Sequence, residues 1–148
     1  MSGAYTGLHI MGTKRRKEGM KDIVGTWRLV ETRGKNDAGQ PFDAPYGPEP
    51  MGTVTFGANG RMLAVLCDGR REMPGGATER EYNSYCGNYT FDGETLTTRV
   101  DAASDTTRLG GDQVRRVTFN GARMSLFPPP RPWRGDHQHR EMIWERIG

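Results

Sequence analysis

The chain has 148 residues, 34% hydrophobic and 26% charged, with only two cysteines; two full domains do not fit in this length, and one globular domain does. No apolar run approaches the roughly 20 residues needed to cross a bilayer, so no membrane span is expected. The net charge of +3 is confined to residues 1–21, where five cations stand against Glu18 alone, while the remainder carries sixteen cations against seventeen anions.

Residues 1–21 therefore read as a flexible basic arm, ahead of a nearly neutral domain over residues 22–148. Such an arm touches phosphates or acidic headgroups nonspecifically, and no specific nucleic-acid surface is expected. Leu8 to Met11 is too short for a signal-peptide core, and its basic cluster follows rather than precedes it. The expected location is cytoplasmic, with Cys67 and Cys86 reduced.

From residue 24 the chain reads as short β segments separated by Gly, Asn, Asp and Pro. The first runs from Gly25 to Arg33, with Trp27 and Leu29 on one face, and a proline-bearing loop then extends to Pro50. Met51 to Phe56 and Arg61 to Asp68 flank the turn Gly57-Ala58-Asn59-Gly60, and a polar stretch from Pro74 to Asn83 has room for one helical turn around Thr78 to Glu81. Ser84 to Phe91 and Glu94 to Asp101 meet at Asp92-Gly93. Gln113 to Phe119 and Arg123 to Phe127 meet at Asn120-Gly121, and His139 to Ile147 closes the chain after a connection rich in Pro and bearing Trp133.

Eight strands joined mostly by tight turns describe an all-β, up-and-down antiparallel sheet. Closing it into an eight-stranded barrel removes two exposed edges, and the interior of such a barrel is either filled by side chains or just wide enough for one small ligand. The expected hollow is walled by Trp27, Tyr89 and their neighbours on the same side.

Five pieces then carry a resemblance: Gly25-Thr26-Trp27-Arg28-Leu29-Val30, Tyr46 to Gly52, Asn59-Gly60-Arg61-Met62, Tyr85-Cys86-Gly87-Asn88-Tyr89 and Trp144-Glu145-Arg146-Ile147. In this order they resemble the bacterial and fungal lipocalin-like domain family, from about residue 22 to 148. The resemblance implies a calycin-type barrel, open at one end, with Trp27 as its floor and Arg146 packed across that indole. It also implies a small, mainly apolar ligand, and supplies no reaction.

Alternation along the strands places Glu31 inward beside Trp27 and Leu29, Tyr85, Gly87, Tyr89 and Phe91 on one face, and Arg115 with Val117 and Phe119. Glu31, Tyr89 and Arg115 are thereby expected to form a polar cluster in an apolar pocket, with Tyr85, Trp133 and Trp144 as further ligand contacts. A structural Glu31–Arg115 pair, or a one-residue slip that turns both to water, stays open. Gly87 leaves room for a ligand or for another backbone, and Trp133 either caps the mouth or packs its loop.

His137 and His139, with Asp136 and Glu141, are metal ligands by type but lack a third partner in the sequence, so no metal and no cofactor is assigned. Two functional readings use the lumen, a module binding a small apolar or aromatic metabolite and a cofactor-free isomerase, cyclase or lyase using Glu31 or Tyr89 for proton transfer, and a third, ranked last, docks residues 14–21 to nucleic acid or an acidic membrane. A lumen filled by side chains speaks against the first two, and a cavity of roughly 300 Å³ or more favours them. Whether the chain forms a homodimer is left open.

Overall fold

The computed structural model describes residues 23–148; the expected basic arm, residues 1–21, lies outside the described residues. Nine strands run in chain order: β1 Gly25–Lys35, β2 Pro50–Phe56, β3 Arg61–Asp68, β4 Tyr82–Phe91, β5 Thr95–Ala103, β6 Asp112–Asn120, β7 Arg123–Phe127, β8 Arg131–Trp133 and β9 Asp136–Arg146. Neighbours pair antiparallel from β1 to β7, β7 pairs β9, and β9 returns to β1, which closes an eight-stranded barrel. The ninth strand is an addition to the expected count. In the Pro-rich connection β8 pairs only with β9, an edge position that tolerates Pro132 and its missing N–H.

Tight turns join the strands at one end of the barrel. At Asp92 the carboxylate accepts from the backbone N–H groups of Glu94 and Thr95 at 2.9 and 2.7 Å, and Gly93 takes φ 101°, which is open to glycine and strained for other residues. Longer connections lie at the opposite end, and the expected helical turn at 78–81 is absent there. Single 3₁₀ turns occur instead at Pro74–Gly76 and Thr106–Arg108, because Pro74 presets φ for a first turn and Asp105 caps Thr107 N–H at 3.0 Å.

The tight-turn end is filled by aromatic rings. The Trp27 indole donates to the Ile23 carbonyl at 2.9 Å, and the Arg146 guanidinium sits 4.3 Å over its ring, worth about 0.5–2 kcal/mol. Phe56 meets Tyr89 edge-on at 5.2 Å, and Phe119 bridges Trp27 and Phe91 at 6.3 and 6.1 Å. Neither Trp27 nor Tyr89 lines the lumen cavity, so the hollow expected beside them lies further toward the loops.

Two bulges set which residues look inward. Along β1, Leu29 pairs Trp144 but Glu31 pairs Ile143, so one extra residue is accommodated at Val30. Trp27 and Leu29 are buried on one side of the bulge, Thr32 and Gly34 on the other. A bulge of this kind reverses the alternation. The second has its extra residue, Asp101, on β5 opposite Cys86/Gly87, and β4 keeps its alternation. There a Cβ added to Gly87 would fall 1.9 Å from the Arg99 carbonyl oxygen, so the space this glycine leaves is taken by backbone. Gly87→Ala is expected to lower the unfolding free energy by about 1–3 kcal/mol, read from urea midpoints at unchanged m-value.

Candidate functional site

With the floor filled, open volume collects toward the loop end. A cavity of about 50 Å³ lies in the lumen, walled by Tyr46, Tyr85, Arg108, Arg115, Arg140 and Trp144 together with apolar Leu66, Leu126 and Met142. A recess of about 170 Å³ adjoins it, sharing Tyr46, Arg140 and Met142 and adding apolar Phe42, Ala44 and Pro45 beside the polar Asp43, Glu81, Arg131 and Gln138. The lumen space is well below the roughly 300 Å³ of a pocket that encloses a whole drug-sized ligand. It is large enough for the end of one.

Strand alternation supplies most of these walls. On β9, Gln138, Arg140, Met142 and Trp144 share the inner face; on β6, Gln113, Arg115 and Val117 do. Tyr46 reaches in from the β1–β2 loop at φ 63°, a left-handed conformation that costs an L-residue roughly 1–2 kcal/mol. Its N–H donates to the Glu81 carboxylate at 2.6 Å, which helps to hold it there.

The electrostatics of the lumen are one-sided. Burial pushes the Arg115 guanidinium below its ordinary pKa, and Arg108 adds to the shift. Burial likewise lowers Arg140, to about 10, with Arg131, Arg115 and Arg108 contributing; at neutral pH it is still protonated. Arg115 donates to the Val114 carbonyl at 2.9 Å and to the Gln113 side-chain oxygen, and Arg140 to the Pro129 carbonyl at 3.3 Å. Among the described residues no carboxylate lies within ion-pair distance of either. Tyr85 is buried, and desolvation raises its phenol pKa, so the hydroxyl stays neutral.

Several residues expected in the site stand elsewhere. Glu31 does not face the lumen: after the β1 bulge it points outward and pairs with Arg33 at 3.0 Å, and its carboxyl is held below the ordinary range chiefly by that hydrogen bond. Tyr89 is buried in the filled end, donating its hydroxyl to the Gly57 carbonyl at 2.7 Å. The expected Glu31–Tyr89–Arg115 cluster is thus not formed, and neither group named for proton transfer lines the lumen cavity. Trp133 stacks on Phe42 at 5.4 Å with Arg134 4.8 Å above it; it packs the loop, and Phe42 forms the recess wall. Tyr85, Arg115 and Trp144 do meet at the cavity.

Sequence reading missed Arg140, Arg108 and Tyr46. The signal for Arg140 was present, since residues 140, 142 and 144 alternate with a buried Trp, but the Pro-rich approach hid where the strand begins. Nothing periodic marks Tyr46 or Arg108, which come from loops.

On the outer rim, Asp37 accepts from or bonds to both histidines, at 2.9 Å to His137 Nδ1 and 2.7 Å to His139 Nε2. Asp37, Asp136 and His137 bring ligand-type atoms within 4.8 Å of one another, so the third partner absent from the local sequence comes from the β1–β2 loop. Asp37 holds His137 above its ordinary pKa, and the histidines hold Asp37 well below the carboxylate range.

A closed eight-stranded barrel, with an indole floor and a cavity toward its loops, is of the small-molecule-binding calycin type. The family described as "lipocalin-like domain" matches residues 24–147, and the chain belongs to it. No curated protein sequence matches it significantly. Among the described residues no helix is long and apolar enough to cross a membrane.

The rim clasp has a defined pH window. A raised His137 pKa stabilises the fold below the unfolded value near 6.5, and this is lost as pH rises through the folded value. A lowered Asp37 pKa stabilises above about 3.8, and this is lost as pH falls toward its folded value. The clasp is therefore strongest between about pH 4 and 6.5. NMR titration should find His137 titrating above its ordinary value in the native chain and moving back toward it in Asp37→Asn; an unchanged midpoint in the variant contradicts the pairing.

Proposed function

We propose that the barrel binds one small molecule, with a mainly apolar or aromatic body in the mouth recess and one polar end in the lumen. The observation that carries this reading is the pair of adjoining spaces, about 50 Å³ in the lumen and 170 Å³ at the mouth, both bordered by Tyr46, Arg140 and Met142. Phe42, Met142, Leu66 and Leu126 offer the apolar contacts, while Tyr85, Arg115 and Trp144 offer polar ones. A few oriented polar groups in an otherwise apolar wall are the usual composition of a ligand site.

Binding without turnover is the reading these positions support best. Proton transfer by Glu31 or Tyr89 has no geometric support, because one faces outward and the other is committed to the Gly57 carbonyl. The protein purified without denaturation should release a small molecule detectable by mass spectrometry. Alternatively, one class in a panel of aromatic and acyl compounds should raise the melting temperature, since a ligand at a hundred times its Kd stabilises by about 2.7 kcal/mol. A chain that carries nothing and responds to no class does not have this function.

A further inference from the structure

The unpaired hydrogen-bonding groups around the lumen share one character. Among the described residues, three buried side-chain nitrogens have no partner: Gln113 Nε2, Arg140 Nε and Trp144 Nε1. All three are donors, on residues that line the cavity or touch a residue that does. Gln113 is 8% exposed and Trp144 2%, so bulk water does not serve them. A buried donor without an acceptor keeps the full cost of its desolvation.

Charge points the same way. Arg115 and Arg140 stand at one cavity with Arg108 beside them, and among the described residues the only ion pair of the three is the contact of Arg108 with Asp105 at 3.6 Å. All three arginines are half-buried, and partly desolvated like charges gathered at one cavity favour an anion between them. A trapped water would satisfy a donor or two, but it leaves the guanidinium charges uncompensated. A cationic ligand is repelled, and a donor-rich neutral one meets three guanidinium donor sets against the few acceptors of Asn83, Tyr46 and Tyr85. The group that complements this set is acceptor-only and negatively charged, and a carboxylate offers two oxygens that match the guanidinium fork.

We infer that the lumen cavity receives the carboxylate of an organic acid, held by Arg115 and Arg140 with the Trp144 indole N–H as a neutral third donor, while the body of the acid fills the mouth recess. This rests on the binding reading above and narrows its ligand class. The small lumen space suits a terminal anionic group, and the larger recess offers the remainder an apolar side of Phe42, Ala44, Pro45 and Met142 beside a polar one with Asp43, Glu81 and Arg131.

Two acids with different bodies, cinnamate and octanoate, test this against their own primary amides and alcohols, which keep the body and remove the charge. In calorimetry on the full chain at pH 7 and low salt, at least one acid should bind about tenfold or more tightly than its amide. That preference should shrink to within about threefold in Arg115→Met and in Arg140→Met, with amide affinity kept. In the wild-type chain the Trp144 indole N–H resonance, assigned with Trp144→Phe, should move downfield with the acid and not with the amide. This readout stands even if an arginine variant fails to fold.

Acid and amide binding equally well overturns the inference and leaves the binding reading intact. A preference that survives both arginine substitutions, or an indole resonance unmoved at saturation, overturns the assignment of these donors. No binding by any of the six compounds up to roughly 5 mM overturns both the inference and the reading beneath it.

Discussion

The pairing of β1 with β9 is the constraint on which everything else in this molecule rests. It runs from Trp27 opposite Arg146 to Lys35 opposite His139, and without it the sheet is an open meander with two long edges. The same ladder brings Arg146 over the Trp27 indole at one end and the two histidines to Asp37 at the other. Between these ends it places Trp144 beside Leu29 in the interior. Closure, floor and rim are thus products of one strand pair.

The interior divides into two halves with different physics. Near the floor, Phe56, Tyr89, Phe91, Phe119 and Trp27 interlock, and packed rings of this kind contribute stability. Toward the loops the inner positions of β6 and β9 are occupied by Arg115 and Arg140, side chains that do not pack to density against one another because they repel. The cavity lies where like charges meet. Stability of the fold and availability of the lumen are therefore assigned to opposite ends of the same strands.

The strand order and the turns at Asp92-Gly93 and Asn120-Gly121 were legible in the sequence, because each has a local signature, alternation or a turn dipeptide, whereas the floor contact between Trp27 and Arg146 was implied by the family resemblance. The site was legible only in part. Tyr85 and Arg115 lie on strands whose alternation is unbroken up to the cavity, so their inward parity could be read, while Trp144 was expected only as a further ligand contact. Glu31 lies one residue past a bulge, and no residue type around Val30 announces it. Tyr89 has the inward parity expected of it but the wrong height, and height along a tilted barrel strand depends on stagger that the sequence does not encode locally. The loop-borne Tyr46 and Arg108 depend on tertiary placement altogether.

Beyond Val30, the mouth half of β1 takes its facing from β9 rather than from its own floor half. A homologous chain that lacked this one residue would run as an unbroken ladder, with Thr32 and Gly34 still inside and the Glu31 carboxylate still in solvent. Gain or loss of a codon at this point is consequently silent for the lumen, whereas a slip of the strand against its partner would carry an acid in among the arginines and cancel their field. Evolution of this barrel is free in length at that spot and restricted in register.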